Sequence, residues 1–79
     1  MARKYSLGQY RVGTSFNPSA NPLVDEIKKQ AAALIDLIDG IQIATDPPDA
    51  VIRLKHIAMT EIETAAMYAV KAATKQNWE

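Results

Sequence analysis

Two groups of residues have the types and spacing to do chemistry. The first is the loop "TSFNPSANPLVDEIKK" at 14–29, which puts the one phenylalanine, Phe16, beside the amide of Asn17 and ahead of Lys28 and Lys29. An aromatic face with cations and helix N-terminal N–H groups close by can stack a base and hold phosphate. The second is a stripe on one long helical pattern, with Arg53, Thr60, Thr64, Met67 and Lys71 in line and His56, Glu63 and Thr74 at its edge. Guanidinium, ammonium and hydroxyl groups suit phosphate and hydroxyl recognition. Each group also has a plainer reading. Phe16 can cap the hydrophobic end of a helical pair, and the stripe can be a mixed solvated face. Composition and spacing leave both choices open.

The inventory for catalysis is poor. Cysteine is absent, and His56 is the only histidine, which reads as a surface residue rather than a base. Ser6, Ser15 and Ser19 have no partnering motif. Asp36 and Asp39 lie one turn apart, and Glu61 and Glu63 flank an apolar position, but neither pair has metal-site spacing. The glycines at 8, 13 and 40 are too scattered for a phosphate loop. The expectation is a non-enzyme that needs no cofactor and no metal.

The elements that must position these residues read as helices. Asn21 is an N-cap with Pro22 at the first helical position. Val24, Ile27, Ala31, Leu34, Ile38 and Ile41 then recur three and four apart, giving a first helix over 22–44. "TDPPD" at 45–49 ends it and starts a second helix over 47–75, with Asp46 as cap and Pro47 in the first turn. The two form an antiparallel hairpin. Residues 1–20 form an arm with three of the five aromatics, in which "QYRVG" is a possible short strand. The fold class is therefore all-α, with 1–79 as a single helical-hairpin domain.

On the second helix, Val51, Leu54, Ala58, Ile62, Ala65, Ala69 and Ala72 share an arc expected to face the first helix. A second set, Ile52, Met59, Ala66, Val70 and Ala73, widens the apolar surface to roughly 160°. One partner helix cannot cover that much. A chain of 79 residues without disulfides gains by association, so a homo-oligomer is expected. Nine basic residues balance nine acidic ones, which argues against gripping long nucleic acid by phosphate neutralisation. The longest unbroken apolar run is "AAALI" at 31–35, so no membrane span is expected and the location reads as cytoplasmic.

Three stretches, "SFNPSANPLVDEIKK", "AALIDLID" and "RLKHIAMTEIETAAMYAVKAATK", together resemble the small phage anti-defence proteins that counter the CBASS and Thoeris immune systems. The similarity spans roughly residues 10–75. It implies a sponge in the host cytoplasm that binds cyclic oligonucleotides or cyclic ADP-ribose isomers without degrading them. It also implies a helical hairpin assembled as dimers or hexamers, with pockets shared between protomers. Under it, Phe16, Asn17, Lys28, Arg53, Thr60 and Lys71 become ligand-binding candidates. This chain has Tyr68 where many relatives carry tryptophan, so no stacking role is carried over to that position. The rival expectation is a small helical interaction module, such as a phage assembly factor or an antitoxin-like regulator.

Overall fold

The computed structural model describes residues 4–15, 17 and 20–75. They form three helices in the order α1 (Leu7–Val12), α2 (Pro22–Asp39) and α3 (Asp49–Lys75). Among the described residues there is no strand.

The possible strand at "QYRVG" is instead α1. Ser6 is its N-cap: its hydroxyl accepts from the Gln9 N–H at 3.1 Å, and the Gln9 side chain accepts from the Ser6 N–H at 2.9 Å. This reciprocal capping box satisfies first-turn donors that a strand would have sent to a neighbour. Gly13 ends the helix in the left-handed conformation at φ 73°, and its N–H bonds the Gln9 carbonyl. Two caps around six residues outweigh a short apolar alternation.

α2 begins as its sequence predicts. The Asn21 side chain accepts from the Leu23 N–H at 2.9 Å, with Pro22 in the first turn. Ala20, just before, holds φ 54°, a left-handed backbone uncommon for a residue with a Cβ. The helix stops at Asp39 rather than 44, and Gly40 follows without the left-handed turn common at helix ends. The Lys55 ammonium of α3 serves instead, donating to the carbonyls of Asp39 at 2.8 Å and Ile41 at 2.9 Å. A cation there also favours the negative end of the helix dipole. α3 starts at Asp49, not 47, because a residue before proline is pushed out of the helical region and two prolines stand in succession. The Ile52 N–H bonds the Pro48 carbonyl as the helix begins.

The Lys55 contacts set the register: facing residues across the antiparallel hairpin have numbers summing to about 95. Along this seam the buried residues are Val24, Lys28, Ala32 and Ile35 from α2, and Met59, Ala66 and Ala73 from α3. Both helices are rotated from the expected pairing. α3 turns by roughly 80°, so that the second apolar set carries its buried residues. Leu54, Ala65 and Ala72 from the first set are exposed, as are Leu34 on α2 and Ile41 just beyond it.

The cause is α1, which covers one flank of the hairpin. Gly8 is buried against α2, where a Cβ would lie 2.0 Å from the Ala32 carbonyl oxygen. Arg11 pairs with Glu63 of α3, Nε to Oε1 at 2.7 Å, and its Nη2 donates to the Thr60 hydroxyl at 3.3 Å. A two-helix reading of the apolar pattern has no place for these contacts. The result is a flat body of 54 × 28 × 14 Å, with α1 on one flank and an apolar row exposed on the other.

Candidate functional site

The expected site residues occupy three separate places. Phe16 lies outside the described residues. Asn17 next to it is half-buried and tied to the start of α2: its amide donates to the Asn21 carbonyl at 2.9 Å and to Asp25 Oδ1 at 2.8 Å. Lys28 is only 9% exposed, and its ammonium donates to the Gly13 carbonyl at 3.1 Å, just past the end of α1. These two polar side chains thus fix the loop and the arm onto α2.

Thr60, Arg53 and Lys71 are exposed on α3. The Thr60 hydroxyl accepts from Arg11, and its carbonyl accepts from the Thr64 hydroxyl at 3.0 Å. Arg53 and Lys71 stand about 27 Å apart along the helix axis at 1.5 Å per residue. Thr60 lies between them. One compact ligand cannot touch both ends of this stripe within a single chain.

A separate cavity has a different lining. It measures about 340 Å³, is open to solvent, and is lined by Lys4, Tyr5, Leu7 and Tyr10. Tyr10 is 77% exposed although it belongs to an ordered helix. Two aromatic rings and an ammonium around a mainly apolar hollow suit a planar base carrying an anionic group. A smaller groove of about 230 Å³ runs between α1 and α2, past Gln9, Thr14, Lys29 and Asp36.

Tyr5 and Tyr10 are not among the site candidates that the sequence singles out, and neither Asp36 as a docking group nor Arg11 as the partner of Glu63 is legible there. The available signal was Ser6-x-x-Gln9 followed by Gly13, a helix start and stop with six residues between them. Reading it would have turned the arm into a helix and made its exposed tyrosines a feature to explain.

His56 is exposed beside Ile57, Thr60 and Glu61 around a third, open hollow of about 230 Å³. Among the described residues, no group of three His, Cys, Asp or Glu side chains is placed to hold a metal ion, and no helix is long and apolar enough to cross a membrane.

No curated protein and no solved structure matches the chain. A family does: the model for the Acb2/Tad1 hairpin domain matches residues 9–74, from within α1 to the last turn of α3. With most of its length inside that match, the chain belongs to the Acb2/Tad1 hairpin-domain family of anti-CBASS and anti-Thoeris sponges.

Proposed function

We propose that this protein is a phage anti-immune sponge that sequesters cyclic nucleotide second messengers without cleaving them. Family membership over residues 9–74 is the observation that carries the reading. The immune effector is starved of its signal, and the protein acts where that signal is made, in the host cytoplasm. Cyclic oligonucleotides and cyclic ADP-ribose isomers are the ligand classes.

The geometry supports two kinds of contact. The Lys4–Tyr5–Tyr10 hollow offers ring faces and a cation for a base and its phosphate. Arg53, Thr60 and Lys71 offer charge and hydroxyl on the exposed face of α3. Phe16 is assigned to stack on a base, Asn17 ties its own loop position to the start of α2, and Lys28 orders the arm from beneath. Since Arg53 and Lys71 are too far apart for one small ligand, they serve pockets completed by neighbouring protomers.

The apolar row on the flank away from α1 is the surface for that self-association. Leu34, Leu54, Ile57 and Tyr68 are all exposed there or along its edge. A dimer, or a hexamer built from dimers, would bury them.

Calorimetry and thermal melting against cyclic dinucleotides, cyclic trinucleotides and cyclic ADP-ribose isomers test the proposal. Saturation at about a hundred times Kd should stabilise the fold by about 2.7 kcal/mol. The bound ligand should then be recovered intact after denaturation. Indifference to every class would favour a helical protein-interaction module, and linearised product would favour an enzyme.

A further inference from the structure

α1 has six residues, too few to persist as a helix by its own propensity. Apolar burial holds it only in part: Leu7 and Val12 are half-buried, Tyr10 is 77% exposed, and the one fully buried residue of the helix is a glycine. Polar contacts supply the rest of its attachment. The Gly8 N–H donates to Asp36 Oδ1 at 2.7 Å, Arg11 pairs with Glu63, and Lys28 reaches the Gly13 carbonyl.

The Gly8–Asp36 contact differs from the other two. Gly8 is in the first turn of α1, where an N–H has no partner inside the helix. The Asp36 carboxylate supplies one from α2 and also places negative charge at the positive end of α1. The bond can form at this separation because residue 8 has no side chain: a Cβ would meet the Ala32 carbonyl oxygen at 2.0 Å and Asp36 Oδ1 at 2.8 Å. Tyr5, Leu7 and Tyr10, which line the 340 Å³ cavity, lie within three residues of Gly8 and move with it.

We propose that Asp36 is a positioning residue for ligand binding: with Gly8 it forms a seat that holds α1 on α2, and the occupancy of that seat sets the affinity of the Lys4–Tyr5–Tyr10 hollow. The proposal rests on the sponge reading for the identity of the ligand, but the seating itself does not. An unseated α1 does not persist as a helix, so Tyr5, Leu7 and Tyr10 lose their arrangement and the hollow they line with Lys4 is left unformed. Apparent Kd therefore rises by the factor by which the seated fraction falls. Asparagine at position 36 keeps an acceptor oxygen and retains much of the seat, whereas alanine does not.

The experiment compares wild type, Asp36→Ala, Asp36→Asn and Gly8→Ala in the full chain. Hydrogen exchange is read at the Tyr10 and Gly13 amides, which bond to Ser6 and Gln9 rather than to Asp36. Loss of a hydrogen bond to a charged group should speed their exchange in Asp36→Ala roughly ten-fold or more. Asp36→Asn should stay close to wild type, and Gly8→Ala should abolish protection in α1, with α2 and α3 protected in every variant. Affinity is measured for the tightest binder among 3′,3′-cyclic GMP–AMP, a cyclic triadenylate and cyclic ADP-ribose. Apparent Kd should rank the variants in the same order and match the seated fractions from exchange. Unchanged exchange in Asp36→Ala would overturn the seat. Full affinity in Gly8→Ala, with α1 unprotected, would overturn its link to binding while leaving the sponge reading intact. A wild type that binds none of the three probes would overturn the link and the sponge reading together, and exchange alone would then judge the seat.

Discussion

Replacing Ala66 with leucine tests the rotated pairing of α2 and α3. Ala66 is 7% exposed and sits in the middle of the seam, one α3 heptad from Met59 and one from Ala73. By the hairpin register it faces the turn of α2 that contains Lys28, itself buried. Three added carbons have no space there, and overpacking of this kind costs roughly 1–3 kcal/mol. A chain of this length has total stability of about 4–12 kcal/mol, so the loss is a large fraction. For a domain of this size each kcal/mol lowers Tm by about 4–8 °C, so a 2 kcal/mol cost gives a drop of about 8–16 °C. The control is the neighbouring residue. Ala65 is exposed on the flank away from α1, and leucine is nearly as good a helix former, so fold stability should change by less than about 0.5 kcal/mol. Its effect should appear in the sedimentation profile, because Ala65 belongs to the row proposed for self-association. Circular dichroism melts at matched chain concentration, paired with analytical ultracentrifugation, separate the two. If Ala65→Leu lowers Tm as far as Ala66→Leu, or Ala66→Leu melts like wild type, the rotated pairing is wrong.

Three further changes probe other parts of the frame. Ala20→Gly should raise stability by up to about 1 kcal/mol in a urea titration, since φ 54° strains an alanine and not a glycine. Lys55→Met keeps the apolar stem but strips two carbonyls of their donor, and should cost about 1–2 kcal/mol. Its exchange signature should be concentrated at the last turn of α2. A double-mutant cycle on Arg11 and Glu63 should give a coupling of about 0.5–1 kcal/mol that shrinks in high salt, because the pair is 22% and 33% exposed.

The hairpin was legible in the sequence because its signals are local. Asn21-Pro22 is a helix start in any context, and tandem proline is a stop. Which side of each helix faces inward was harder. The broad apolar surface of α3 allowed two rotations, and the choice between them depends on Glu63 meeting Arg11, 52 residues away. Spacing along one helix does not encode such a contact. The same limit hid the seat of α1, which needs Gly8 and Asp36 to be known as neighbours across 28 residues, although the helix itself had a local signal in Ser6, Gln9 and Gly13. Among the site candidates, Asn17 and Lys28 were picked for their polar groups, and those groups turn out to be engaged in holding the arm and loop. Arg53, Thr60 and Lys71 are on the exposed side of α3, as the stripe implied.

The 14 Å thickness of the body has a thermodynamic consequence. It is little more than the diameter of one helix with its side chains, about 10–12 Å, so a single chain has almost no volume beyond the reach of water. Unfolding such a chain exposes less new surface than a rounder domain of the same mass would. Since the denaturant slope and the heat-capacity change both scale with that surface, an isolated copy should show a shallow urea transition and a flat stability curve. Stacking a second copy on the bare flank would steepen both without altering a bond inside either chain. The sharpness of the melt is thus a gauge of how many layers the protein has, readable before any ligand is added.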